Sequence, residues 1–295
     1  EDRDTNVEEA AITLVNGGIM AVRMPLLFDL MDKVDAGNAQ GEIYLTDIVG
    51  VGRSQDCSIA CEVTDEDEMM GVNSRADLAR AEALLQAQLR VAAMASGVTL
   101  QAPDTVFLSA DSVIERDVII EPHVVIGAGC HIGEGSVIKA FSHIEGAWLG
   151  ACCVIGPYAR LRPGAVLEKD AFVGNFVEMK KATLGEGAKA SHLTYLGDTE
   201  VGAGANIGAG TITCNYDGYF KYKTVIGERA FIGSNSALVA PVTIGADAIV
   251  AAGSTVTRDV DAGELRMERA EQSIKPGWAD RFHDTMKKKK AGQGK

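Results

Sequence analysis

Aliphatic side chains recur in this chain at a spacing of six. Ile114, Ile120, Ile126, Ile132, Ile138 and Ile144 follow one another at that interval. After one step of five the pattern runs through Leu149, Ile155, Leu161, Leu167 and Val173. It returns at Leu184, Ala190 and Leu196, then at Val201, Ile207 and Thr213, and ends with Ile226, Ile232, Leu238, Ile244, Val250 and Val256. A helical face repeats every ~3.6 residues and a half-buried strand every second one, so neither explains this spacing. A six-residue period is the signature of a parallel β-helix, in which each hexad supplies a short flat strand and a turn. Three hexads close a triangular coil, and successive coils stack about 4.8 Å apart with their aliphatic residues pointing inward. Glycine often follows the periodic residue, as in "IGAGC", "IGEGS" and "IGERA", where it is expected to permit the tight corner.

Two segments break the rhythm. Val173 and Leu184 lie eleven residues apart, and Thr213 and Ile226 thirteen. The extra residues in "NFVEMKKAT" (175–183) and "CNYDGYFKYKTV" (214–225) are expected to leave the stack as loops, and such loops commonly build binding sites. They carry Glu178, Lys180, Lys181, Lys221 and Lys223.

Upstream, residues 73–97 read as one helix, with Ser74 capping it, Asp77 three residues on, Leu78, Leu85 and Leu89 along one side, and Gly97 ending it. Residues 1–72 hold too few alternating units for an α/β domain and read as the end of a larger one. The expected organisation is therefore mainly β. It comprises the end of an α/β domain (1–72), a linker helix (73–97), a β-helix (98–262) and a C-terminal tail (263–295).

Composition narrows the function. Only 5% of the 295 residues are aromatic while 33 are glycine, as a repetitive β architecture requires. A net charge of -13 leaves no broad basic surface for nucleic acid, and the run Met286 to Lys290 is expected to be a mobile tail. The six cysteines form no zinc-type pair of CxxC motifs and read as reduced thiols. No apolar run approaches the roughly 20 residues of a membrane span, so a soluble cytoplasmic protein is expected, with no membrane partner.

Among five histidines, His123, His131 and His143 fall in regular coils and His283 in the tail. His192 alone stands between the two interruptions, in "KASHLTY". A lone histidine is more often structural than catalytic. The residues around it favour chemistry: Glu178 to orient the ring, Tyr195 and Asn206 for hydroxyls, and Arg162, Lys180 and Lys221 for a phosphate.

Taken in order, "ARLRPG", "VGNFVEMKKA", "HLTYLGD" and "NIGAGTITCNYDG" resemble the acetyltransferase half of the bifunctional N-acetylglucosamine-1-phosphate uridyltransferase/glucosamine-1-phosphate acetyltransferase family. "VNGGIMAV", "NAQGEIYLTDIV" and "GVNSR" resemble the end of its uridyltransferase domain and the junction with the linker helix. The resemblance implies a left-handed β-helix, assembly as a homotrimer with grooves between subunits, and acetyl transfer from acetyl-CoA to glucosamine-1-phosphate. That reaction belongs to UDP-N-acetylglucosamine biosynthesis for peptidoglycan and lipopolysaccharide in the bacterial cytoplasm. It further implies His192 as general base with Glu178 as its partner. Arg162 and Lys180 would sit on the sugar phosphate, with Tyr195, Asn206, Asn215 and Lys221 around the sugar. Tyr216 would lie near the acetyl group, and Ala209, Ser234, Ala252 and Arg269 along the coenzyme A path. Acetyl transfer needs no metal. For the uridyltransferase site, Glu1, Asn16 and Asn73 match UDP-sugar positions, and Asn73 also a magnesium position. The family's nucleotide loop and magnesium-holding aspartate match nothing here, so this chain is expected to transfer acetyl but not uridyl groups. Ser191 replaces a usual glycine, and "MERAEQ" is unusual around Arg269.

Three rivals compete with this reading. A non-catalytic scaffold would have no polar interruptions. A metal hydratase would need three converging imidazoles, and only His192 lies near the interruptions. A hexapeptide acyltransferase with another amino-sugar or hydroxyl acceptor is the serious runner-up, and the phosphate-binding cations are what separate it.

Overall fold

A computed structural model of the chain describes residues 6–8, 11–38 and 41–293, divided into two units between Leu85 and Gln86. The first unit carries helices α1 (Met24–Met31) and α2 (Ile48–Ser54), with Leu30 and Ile48 buried. No strand occurs among its described residues. Helix α3 (Arg75–Ala95) begins in this unit with the reciprocal cap expected from its sequence. Asp77 N–H donates to Ser74 Oγ (3.1 Å), while Ser74 N–H donates to Asp77 Oδ2 (2.8 Å). The Ser74 hydroxyl, with the backbone N–H groups of Asn73 and Ser74, holds the Asp77 carboxyl below the usual carboxylate range.

The second unit is the parallel β-helix. Its first face is a ten-stranded parallel ladder from Thr99–Leu100 to Leu265–Arg266. The other two faces are joined into one sheet by two long strands, Glu178–Leu184 and Tyr195–Val201, each running round a corner. Each face stacks its own inward column. Ile120, Ile138, Ile155, Val173, Ala190 and Ile207 fill the first; Ile126, Ile144, Leu161, Met179 and Leu196 the second; Ile132, Leu149, Leu167, Leu184 and Val201 the third. All are essentially inaccessible to water. Fully burying such a side chain stabilises by roughly 1.5–3 kcal/mol, but only when a neighbouring coil covers it, so the stack is cooperative along its axis.

The columns correct one expectation. Residues 175–183 do not loop out: Met179 is the inward residue of the second face, paired with Leu161 and Leu196. Reading Met as a column residue turns the apparent gap into a step of six and a step of five. A step of five also joins Ile144 to Leu149 and Leu196 to Val201. The second interruption does leave the stack. Residues 215–223 separate the strands Ile212–Cys214 and Thr224–Ile226 and form a small hairpin closed by the antiparallel bridge Tyr216–Lys221.

The corner glycines divide their work. In "IGEGS", Gly133 has no positive φ. A Cβ there would lie 2.6 Å from the Gly150 carbonyl carbon in the next coil, so the position needs smallness. Gly135 takes the left-handed turn, with φ of 70°. At another corner that conformation is held by His123, Phe141, Tyr158 and Phe176, whose rings stack 4.9, 4.9 and 5.4 Å apart on the surface.

The last residues of α3 cover the open end of the coil. Leu89 and Ala93 pack on the core, whereas Leu78 and Leu85 are exposed, so the three leucines do not share one buried side. Buried Gln86 acts as a substitute strand: its Nε2 donates to Leu108 O (2.8 Å) and its Oε1 accepts from Leu108 N–H (2.9 Å). The lysine-rich run expected to be mobile lies in a helix, α4 (Trp278–Gly292). No helix among the described residues is long and apolar enough to cross a membrane.

Candidate functional site

His192 ends the strand Lys189–His192, and Tyr195 opens the next strand on the adjoining face. The two residues between them turn the corner, which brings the end of the first face beside Glu178, the register partner of Tyr195. The His192 ring is exposed, and its Nδ1 is 2.7 Å from Asn175 Oδ1, directly beneath it in the adjacent coil. Glu178 does not take that place. Its Oε1 accepts from Arg162 Nη1 at 2.8 Å, with both side chains about one-third exposed. The orienting partner expected at Glu178 is therefore Asn175 in the structure, because Asn175 shares the His192 corner while Glu178 sits on the next face beside a guanidinium.

Three cations gather over that face. Arg162 sits one coil below Lys180, and the hairpin brings Lys221 onto it. The Arg162 guanidinium and then the Lys221 ammonium push the Lys180 amine below its ordinary value, since a neighbouring positive charge disfavours another. The hairpin owes its shape to Asp217, which accepts from Tyr219 N–H (2.8 Å), Phe220 N–H (2.7 Å) and the Tyr222 hydroxyl (3.0 Å). With Glu178 engaged by Arg162, the cluster is suited to a multiply charged anion.

Buried Asn215, at the root of the hairpin, donates from Nδ2 to Asp198 Oδ2 (2.6 Å). Its amide and the Tyr195 hydroxyl both pass over Gly197, where a Cβ would meet them at 2.7 and 2.5 Å. Any side chain at 197 would displace the two groups expected around a sugar. Beside the hairpin lies a groove of about 400 Å³ lined by Lys181, Asp198, Glu200, Lys221 and Lys223, with Lys223 paired to Glu200. Asn206 lies on the first face between Lys189 and Phe231. Tyr216 is exposed and its hydroxyl donates to Gly218 O within the hairpin.

From His192 a line of small corner residues climbs the stack. Gly210 N–H donates to His192 O, Asn235 N–H to Ala209 O and Gly253 N–H to Ser234 O, so these corners sit one above another. Arg269 closes the line, its Nη1 donating to Ala252 O at 3.0 Å. Ala209, Ser234, Ala252 and Arg269 are thus brought together on one edge, leading away from His192.

The nucleotide-sugar residues are not gathered in this way. Glu1 lies outside the described residues. Asn16 Oδ1 accepts from Gly18 N–H, and Asn73 N–H donates to Asp77 Oδ2. No group of three or more His, Cys, Asp or Glu placed to hold a metal occurs among the described residues. Asp77, the carboxylate beside Asn73, already accepts from Asn73 N–H, Ser74 N–H and Ser74 Oγ. Among the described residues, Asn73 and the engaged Asp77 do not by themselves make a magnesium site, which is expected only in a complete uridyltransferase domain.

The bacterial transferase hexapeptide (six repeats) family model matches residues 111–146 and 223–258. The protein named bifunctional protein GlmU from Sphingopyxis alaskensis is 62% identical over 295 residues, covering 100% of this chain and 65% of that protein. Its namesake from Jannaschia sp. is 48% identical over the same length, covering 100% and 65%. Over its whole length the chain is similar to proteins of that name. The chain spans less than two-thirds of the length of those relatives, 65% in both cases. Among solved structures, the UDP-N-acetylglucosamine acyltransferase of Francisella novicida is similar to it with a TM-score of 0.51 at 18% identity. That match covers 57% of this chain and 66% of the other, and the likeness concerns the left-handed β-helix alone.

Proposed function

We propose that the chain transfers the acetyl group of acetyl-CoA to the amine of glucosamine-1-phosphate. The observation that carries this reading is an imidazole steadied at Nδ1 at the corner where one face ends and a cluster of three cations on the adjoining face. The cluster of Arg162, Lys180 and Lys221 binds the sugar phosphate, and Tyr195, Asn206 and Asn215 receive the sugar hydroxyls. The acetyl thioester lies near Tyr216, and the coenzyme runs along Ala209, Ser234 and Ala252 to Arg269. His192 Nε2 takes the proton that the ammonium must lose before its nitrogen can attack. The nitrogen forms a bond to the thioester carbon, and the oxyanion is met by backbone N–H groups of the glycine-rich corner. The carbon–sulfur bond then breaks, the thiolate leaves with the proton returned by His192, and the second proton shed by the nitrogen passes to solvent.

A corner exposed on one prism needs a second wall to exclude water, so the working assembly is a homotrimer with a site at each subunit boundary. Residues 1–72 form the end of the uridyltransferase domain, and 98–262 the acetyltransferase domain. The longer protein also joins N-acetylglucosamine-1-phosphate to a uridyl group, and it works in the bacterial cytoplasm.

Purified chain is tested with acetyl-CoA and, in parallel, glucosamine-1-phosphate, glucosamine and a nucleotide-linked amino sugar. Thioester loss is followed at 232 nm and the product by mass spectrometry. Acetylation of glucosamine-1-phosphate with kcat/KM at least about a hundredfold above glucosamine is expected, because two or three charge-assisted phosphate contacts distinguish them. Preference for an acceptor without phosphate would select the rival acyltransferase reading.

A further inference from the structure

We propose that Asn175 is the positioning residue of His192, holding the imidazole in the tautomer with a bare Nε2 while adding no charge to the site. The inference rests on the proton-accepting role of His192 given above. Its physical basis is the register: Asn175 and His192 are direct cross-strand partners at the same corner, and Oδ1 reaches Nδ1 at 2.7 Å. A carboxamide oxygen can only accept, so Nδ1 carries the hydrogen and the lone pair falls on Nε2. The same 2.7 Å contact restrains rotation of an otherwise exposed ring.

The choice of asparagine over aspartate has a second consequence. An anionic partner within hydrogen-bonding distance favours imidazolium and raises the histidine pKa, so the base would stay protonated to higher pH. A neutral partner orients the ring without that penalty. The strands packed on Lys189–His192 are uncharged there: Phe172–Asn175 reads Phe-Val-Gly-Asn, and Asn206–Ile207 reads Asn-Ile. The adjoining face carries the titratable groups Tyr195 and Glu178, with Glu178 held by Arg162 and flanked by Lys180. On its own strand His192 shares only Lys189. Asn175 is thus the sole side chain bonded to the ring among the described residues, and it is neutral.

The test uses the full chain labelled with 15N-histidine, together with Asn175→Ala, Asn175→Asp and His192→Ala, the last to assign the His192 ring signals. Wild type is expected to show a bare Nε2 and a protonated Nδ1. Asn175→Ala should show mixed tautomers, with kcat about tenfold to a hundredfold lower and KM for glucosamine-1-phosphate within twofold, as expected for lost alignment. Asn175→Asp, nearly isosteric, should keep the wild-type tautomer and shift the acid limb of the kcat/KM–pH profile upward by about one pH unit, so its deficit is deepest at pH 6.5 and closes by pH 8.5. An unchanged tautomer and kcat in Asn175→Ala, or an unmoved acid limb in Asn175→Asp, overturns the proposal. If the ring signals depend on Asn175 but wild type acetylates no amino sugar, the positioning stands and the proposed reaction falls.

Discussion

Gln86→Leu should loosen the whole β-helix from its open end. Phe107–Leu108 is the outermost strand of its ladder. Its neighbours Phe107 and Ser109 donate into the next coil, to Val124 O and Ile126 O. Leu108 N–H and C=O therefore point the other way, and the Gln86 amide meets both, at 2.9 and 2.8 Å. Gln86 is 5% exposed, so an apolar side chain of similar size leaves one buried donor and one buried acceptor unpaired. Each costs about 1–3 kcal/mol. Allowing for water entering a loosened end, the expected loss is about 2–4 kcal/mol, or about 5–15 °C in Tm for a unit of this size. Gln88, two residues on in α3 and exposed, supplies the control: Gln88→Leu should change stability by less than about 0.5 kcal/mol. Thermal unfolding followed by circular dichroism, with wild type and both variants at one protein concentration, reads the difference. If the two leucine variants melt together, the glutamine is not acting as a strand and the reasoning fails.

Other consequences are measured as directly. A Cβ at Gly174 would sit 1.9 Å from Ser191 O, so Gly174→Ala must force two coils apart beside Asn175 and His192; a loss of about 2–4 kcal/mol by urea denaturation is expected, with kcat falling as well. Burial pushes the Cys153 thiol up to about 11, and Cys130 is raised for the same reason, so iodoacetamide at pH 8 should label exposed Cys61 and Cys152 first, and peptide mapping with Cys153 modified earliest would contradict this. Because Arg162 and Lys221 depress Lys180, a larger share of its amine is neutral at any pH below its ordinary value; acetic anhydride should acylate it faster than Lys189, and Arg162→Ala should slow that labelling.

The fold was legible because a solenoid writes its geometry into a period. Every residue of the isoleucine run from Ile120 to Ile144 is inward and fully buried. Met179 was missed because an unbranched thioether does not look like a rung, although it fills one as well as leucine does. That omission turned a continuous strand into an apparent loop. Candidate site residues were legible through ordered motifs, but their pairing was not. The charged residues of the first interruption and the family resemblance suggested Glu178, whereas the contact goes to Asn175, seventeen residues back, which is one coil. Once the coil length is known, that spacing is itself a signal: residues a coil apart stack at one corner. The cation cluster depends on how Asp217 folds a hairpin, and no periodicity encodes it.

The central claim is that His192 accepts the proton of the attacking amine, and comparing acetyl transfer by wild type and His192→Ala from pH 6.5 to 9 tests it most directly. At neutral pH the variant should lose about 10²–10⁴ in kcat, with KM for glucosamine-1-phosphate and the assembly state little changed. The deficit should narrow as rising pH deprotonates the substrate amine without help. Full acetyl transfer by His192→Ala at neutral pH would contradict the account, leaving His192 a surface residue of the corner it occupies.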